Sequence, residues 1–310
     1  MSLLPQEPSR PKTNISDFNI IVYGMPKIGK TTLASKFPKA VFLATEDGQN
    51  AIECFRVGID SWNTFLDACG ELKEGEHGFE TIILDTLDNL WVLCQRHVCD
   101  KRNIEHESEL AYGLGSELVR AEFFRALNKL AMLPYGLVMI SHAVVREIST
   151  RTGKIDRTMP SFKEKEQSKL LGMADFILYC DLLTAPGPDG KPETRRVIRT
   201  KTSESYVSGD RTGRLPDPMP LDYAVFREEF DAAVAAHAAS VGGTGSNGNP
   251  APAARTQPAA PVPPKPTAPR PIPPKPQAPA AAPNSQRPQS AQRPQSTQSA
   301  QTPQTARKEA

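Results

Sequence analysis

Eight residues constrain this chain more than any others. Gly24-Met25-Pro26-Lys27-Ile28-Gly29-Lys30-Thr31 matches G-x-x-x-x-G-K-[ST], directly after the apolar run FNIIVY at 18–23 and overlapping the start of TTLASKF at 31–37. With those flanks the match predicts strand, tight loop and helix in succession, the context in which this pattern cradles phosphates. The glycines let backbone N–H groups close around a β-phosphate, and Lys30 reaches the β/γ oxygens. The Thr31 hydroxyl ligates Mg2+, and the helix start adds its positive end. Pro26, Lys27, Ile28 and Thr32 complete the loop and first turn. The expectation is a nucleoside-triphosphate site with Mg2+. The plainer alternative is a glycine-rich turn without a ligand, and the flanking elements speak against it.

More short apolar runs follow: AVFLAT at 40–45, TIILD at 81–85 and GLVMIS at 136–141 read as buried strands. Between them, 61–72, 88–102 and 116–133 carry apolar residues at helical spacing, and 221–237 reads as a last amphipathic helix. Two hairpins are expected after the fourth strand, one turning at Thr152-Gly153 and one around Gly187–Gly190. Strands alternating with helices predict an α/β fold. Its sheet should be mainly parallel and flanked by helices, with antiparallel hairpins at an edge.

Composition sets the domain limits. From Val241 to Ala310 there are eight Lys/Arg and one acid, a charge of +7 within a total of +2, which leaves −5 for the rest. That stretch also holds 17 of the 30 prolines and no aromatic residue. So few apolar side chains cannot offset the entropy of ordering the backbone, so disorder is expected there and two full globular domains are excluded. The expected division is a flexible arm at 1–17, one ATPase domain at 18–238 and a disordered basic tail at 239–310. The tail repeats PVPPKP (261–266) as PIPPKP (271–276), and QRPQS (286–290) at 292–296. Such segments favour extended polyproline II or coil; a flexible linker and a docking site for an unknown partner both fit. No apolar run approaches the roughly 20 residues that span a bilayer. The first 17 residues lack the charged and apolar regions of a signal peptide. Five unpatterned cysteines suit a reducing compartment, so the expected location is cytoplasmic.

Strand ends supply the remaining site candidates. Asp85 closes TIILD and would hold Mg2+ through water, or else cap the helix that follows. The position after it is Thr86, so the water-activating acid is sought elsewhere. Glu46, at the end of AVFLAT, can accept a hydrogen bond from water in line with a γ-phosphate, or serve as a solvated turn acid. Ser141-His142 closes the fourth strand, where His142 could sense the γ-phosphate or be structural.

This set resembles the RecA/RadA core, in which the phosphate loop is followed by strands ending in Glu, in Asp and in a polar sensor. DTLDNLWVLCQRHVC (85–99), IEHESELAYGLGSELVRAEF (104–123), MISHAVVREI (139–148) and GMADFILYCDL (172–182) are similar to phage-encoded, core-only RecA-like ATPases. The resemblance covers roughly 14–233 and implies a RecA-like P-loop NTPase that takes ATP and acts on single-stranded DNA in annealing or recombination. It implies catalytic roles for Lys30, Glu46 and Asp85, with the sensor at His142. Phosphate and Mg2+ fall to Gly24, Gly29, Lys30 and Thr31. It also implies a DNA-binding loop after the sensor strand, which here offers Arg146, Arg151, Lys154 and Arg157. Arg199 and Lys201 fall where family members present a cation to a neighbour's nucleotide, so a homo-oligomer, ring or filament, is expected. The bland readings of these two groups are a solvated hairpin face and an exposed basic strand.

One further pattern, Cys94-x-x-His97-x-Cys99 with His106, offers four zinc-type ligands. The usual C-x2-C knuckle is missing, and Cys94 and His97 share a helix with Leu90, Trp91 and Val98, which favours a core role. The functional alternative to DNA work is a nucleotide-dependent switch that binds a protein partner, a reading the acidic balance of the core favours.

Overall fold

The computed structural model describes Leu4, Glu7 and residues 9–151, 153–187 and 189–242. The tail beyond 242, with its repeats, lies outside the described residues. In chain order the elements are β1 (Asn19–Gly24), α1 (Lys30–Ala34), β2 (Ala40–Ala44), β3 (Phe55–Gly58), α2 (Trp62–Glu74), β4 (Thr81–Asp85), α3 (Leu87–Arg102) and α4 (Leu114–Ala131). Then come β5 (Gly136–Thr150), β6 (Gly153–Pro160), α5 (Glu164–Met173), β7 (Phe176–Pro186), β8 (Pro192–Arg199), β9 (Gly209–Asp210), β10 (Met219–Pro220) and α6 (Tyr223–Gly242).

The strands join in one sheet of order β10-β8-β7-β1-β5-β4-β2-β3, with β6 on β5 and β9 on β7. The six from β7 to β3 run parallel. The β5–β6 and β7–β8 hairpins and the short strands pair antiparallel. This is the expected mixed α/β architecture, and the apolar character of the central strands has a direct cause. Ile20 and Val22 of β1 face a core completed by Leu33, Phe226 and Phe230, while Ile21 and Tyr23 face one completed by Trp62, Phe65 and Phe123. Covered on both faces, a parallel strand reads as a continuous apolar run.

Local chemistry sets the boundaries. Helix α1 is shorter than the expected 31–37. Lys36 and Phe37 donate to Leu33 and Ala34, three residues back, so the helix tightens before Pro38, which disfavours helical geometry in the residue ahead of it. The N-terminus of α2 is capped by Ser61, whose hydroxyl accepts from the Thr64 N–H. Ile15, inside the stretch read as a loose arm, is buried in a 3-10 turn, Ile15–Asp17. No helix among the described residues is long and apolar enough to cross a membrane.

Sheet register fixes where chemistry can happen. Gly24 lies between His142 of β5 and Cys180 of β7, and Asp85 lies between Ala44 and Ile140. The C-terminal ends of β1, β2 and β4 and the Ile140–His142 stretch of β5, which runs on into its hairpin, therefore share one edge, where open parallel sheets bind ligands.

Candidate nucleotide site

The loop leaving β1 needs its glycines for two different reasons. A Cβ on Gly24 would sit 2.6 Å from the Cys180 carbonyl oxygen, so only glycine lets β1 and β7 approach this closely. Gly29 has φ of 120°, in the region that favours glycine. Lys30 follows, buried, with Nζ donating to the carbonyls of Gly24 and Met25, both at 3.0 Å. Burial pushes its pKa down, opposed by Cys180, Asp85 and Glu46. Met25, Pro26, Lys27 and Thr32 are exposed, and Ile28 is buried beneath the loop.

Asp85, at the end of β4, is 1% exposed. Its Oδ2 accepts from Thr31 Oγ1 at 3.0 Å and from Gln49 Nε2 at 2.6 Å, while Oδ1 is buried without a hydrogen-bond partner. Burial raises the Asp85 pKa, and the Gln49 and Thr31 hydrogen bonds oppose it. A hydroxyl beside a carboxylate with one uncommitted oxygen is a hard-oxygen donor set, and it suits Mg2+.

Glu46 stands one residue past Thr45, whose N–H donates to the Asp85 carbonyl at 2.8 Å. Its Oε2 accepts from Asn89 Nδ2 at 3.2 Å and lies 3.9 Å from His142 Nε2. The sensor strand is held by Asp88, which sequence reasoning treated only as a helix start. Asp88 accepts from Ser141 Oγ and from the His142 N–H, each at 3.0 Å. Burial raises its pKa, and those two hydrogen bonds oppose the rise. Lys30, Thr31, Asp85, Glu46 and His142 are thus gathered at one edge. Asp88 and Gln49 join them without any local pattern that announces them.

The basic candidates fare differently. Arg146 is turned inward, donating to Gln167 Oε1 at 3.2 Å and to the Phe162 carbonyl at 2.5 Å. Arg157 donates to Thr202 Oγ1 at 2.9 Å, and Lys154 pairs with Glu147 at 2.7 Å. Antiparallel pairing sets Arg146 opposite Arg157, and their guanidinium groups are held by carbonyl, amide and hydroxyl oxygens. The four bases therefore do not form one free cluster; Arg151 is exposed at the hairpin tip. Arg199 pairs with Asp181 of its own chain at 3.2 Å and lies over the Tyr206 ring. Lys201 is exposed. The cation that meets the phosphate loop is Arg196, whose Nη1 lies 3.4 Å from the Ile28 carbonyl. Three residues before Arg199, on the exposed first part of β8, it carried no distinguishing signal in the sequence.

The cysteine–histidine pattern is dispersed. Cys94 Sγ lies 3.7 Å from the Val119 carbonyl inside the core, Cys99 is buried, and His106 caps a 3-10 turn through Ser108. Burial pushes the pKa of the Cys94 and Cys99 thiols up. Cys94 and Cys99 are thus core residues and His106 a turn cap.

Residues 16–212 match the AAA domain family. The chain belongs to that family of P-loop ATPases. It is 27% identical over 212 residues to the SPbeta prophage-derived uncharacterized protein YorG of Bacillus subtilis (strain 168), an alignment covering 65% of this chain and 61% of that protein. The chain thus spans under two thirds of that relative's length. Among solved structures, the flagellar accessory protein FlaH from Methanocaldococcus jannaschii is 12% identical with a TM-score of 0.32, over 59% of this chain and 77% of that one. The KaiC-like protein PH0186 from Pyrococcus horikoshii OT3 is 13% identical with a TM-score of 0.34, over 59% of this chain and 79% of that one. At that distance they add nothing to the architecture already described.

Proposed function

We propose that this member of the AAA domain family hydrolyses ATP with Mg2+ and spends the energy on single-stranded DNA, in annealing or strand exchange, as a homo-oligomer. The observation that carries the ATPase half is the meeting of Thr31, Asp85 and Glu46 from three segments at one sheet edge. Thr31 and Asp85 would hold Mg2+, which when bound neutralises charge on the phosphate oxygens. Lys30 would give up its two loop carbonyls for phosphate oxygens. Glu46, oriented by Asn89, would take the proton of the attacking water. His142, held through its backbone by Asp88, would read the end of the nucleotide and pass its state along β5 into the hairpin.

The DNA half draws support from the prophage origin of the relative, from Arg151 and Lys154 at the hairpin tip, and from the +7 tail. Binding through these groups should weaken steeply with salt. Its test is fluorescence anisotropy of labelled single-stranded DNA with and without a nonhydrolysable ATP analogue; no binding at low salt overturns it. One observation favours a second reading, a nucleotide switch for a protein partner: the inward engagement of Arg146 and Arg157 leaves the hairpin fewer free charges for phosphate.

A further inference from the structure

The segment Glu46-Asp47-Gly48-Gln49-Asn50 is polar and reads as a solvated turn, yet Gln49 is 2% exposed. Its amide nitrogen donates at 2.6 Å to Asp85 Oδ2, and its Oε1 is buried without a partner. An amide half-satisfied in this way is costly to bury. What compensates is the carboxylate: a short bond to an ionised oxygen belongs to the strong class. Gln49 thus brings the positive end of an N–H dipole to the oxygen for which a cation would compete.

The surrounding loop closes over the same groups. A Cβ on Gly48 would lie 3.8 Å from Glu46 Oε1 and 3.9 Å from both Asp85 Oδ2 and Thr31 Oγ1. The loop is tied at its start by the Thr45 N–H on the Asp85 carbonyl, and at its far end Arg56 of β3 pairs with Asp47 at 3.3 Å. Asp85 therefore holds the loop at both its backbone carbonyl and its side chain. The side-chain tie is the one that a cation can replace.

We infer that Gln49 is a latch on the metal site: it occupies Asp85, competes with Mg2+ for that carboxylate, and releases the loop carrying Glu46 when Mg2+ and nucleotide bind. The inference rests on the proposed Mg2+–nucleotide site and adds a regulation to it. Glu46 lies three residues before Gln49, so release of the latch and placement of the water-activating carboxylate become one event. A chain without Mg2+ would then keep Glu46 in an idle loop.

The test uses the full chain and a fluorescent ADP derivative, titrated in EDTA and over a Mg2+ series, with hydrogen–deuterium exchange of residues 46–52 measured in parallel. In Gln49→Leu the Mg2+ concentration that half-saturates tight ADP binding should fall about tenfold, the scale of one lost charge-assisted bond. Exchange in the loop should already be fast without Mg2+. In the native chain, Mg2+ with ADP should speed that exchange. Gln49→Glu sets a second carboxylate against Asp85, so its melting temperature should drop in EDTA and recover with Mg2+. ADP binding with an unaltered Mg2+ response in Gln49→Leu, or a loop that stays protected, overturns the latch alone. A native chain indifferent to ADP overturns the site reading and the latch with it.

Discussion

Thr31 Oγ1 donates a 3.0 Å hydrogen bond to Asp85 Oδ2, joining the end of the phosphate loop to the end of a strand 54 residues further on. Strand order makes the bond possible. β1 and β4 flank β5, and parallel pairing brings their C-terminal ends level. Neither residue has an evident structural need for the other, since β1 and β4 are already fixed by β5. Under the proposed function the bond keeps two ligands of one cation in register.

Asp85 is a buried carboxylate whose pKa is raised, chiefly by burial. The folded chain thus holds its proton more tightly than the unfolded chain, whose Asp titrates near 4. Its contribution to stability is full below that value and is lost as pH rises through the raised native pKa. Asp85→Asn should therefore raise the melting temperature at pH 7 by about 2–4 °C, roughly 1 kcal/mol in a domain of this size. The gap from the native chain should narrow on acidification towards pH 4, while Mg2+-dependent tightening of ADP binding disappears. Calorimetry across pH, with and without Mg2+, checks all three.

Lys30→Ala removes the cation proposed to meet the β/γ oxygens, and with it the two bonds to Gly24 and Met25 that hold the loop. Turnover should fall about 10²–10³-fold or more, the scale seen when one preorganised donor to transition-state charge is lost. Steady-state phosphate release measures it.

Much of this edge could be read from the sequence because its strands are short apolar runs, each ending in a residue of distinct chemistry. TIILD at 81–85 became β4 with the same bounds, and Asp85 and Glu46 came with their strands. Strand β3 was missed because all four of its residues are exposed at the sheet edge, leaving no apolar pattern. Helix α5 lies in the stretch between the two expected hairpins, to which the sequence reading gave no element. Gln49, Asp88 and Arg196 were illegible for another reason: each acts on a partner 36, 53 or 168 residues away. Only chain closure creates those relationships.

Arg146 and Arg151 share a hairpin and should behave oppositely on substitution. Arg146→Ala strips donors from the Phe162 carbonyl and Gln167, so stability should drop by about 1.5–3 kcal/mol, the scale for bonds to a charged group. Arg151→Ala, at an exposed position, should leave stability within about 0.5 kcal/mol. It should instead weaken single-stranded DNA binding and lower the salt slope by about one. Denaturant melts and anisotropy titrations separate the two effects.

A chain stopped after Asn249 keeps every described residue and discards most of the basic tail. If the hairpin carries the DNA contact, this truncated chain should bind single-stranded DNA within about tenfold of the full chain, with ATPase activity unchanged. Loss of DNA binding with ATPase intact assigns the contact to the tail. Anisotropy and phosphate release on the two chains decide between them.

The central claim is that Glu46 activates the attacking water at a site assembled by Thr31 and Asp85. Glu46→Gln keeps an acceptor for Asn89 but cannot take a proton at neutral pH. Binding of a fluorescent ATP derivative should stay within about threefold of the native chain, while phosphate release should fall about 10²–10⁴-fold, the usual contribution of a general base. A Glu46→Gln chain that binds ATP and hydrolyses it at the native rate would contradict the account.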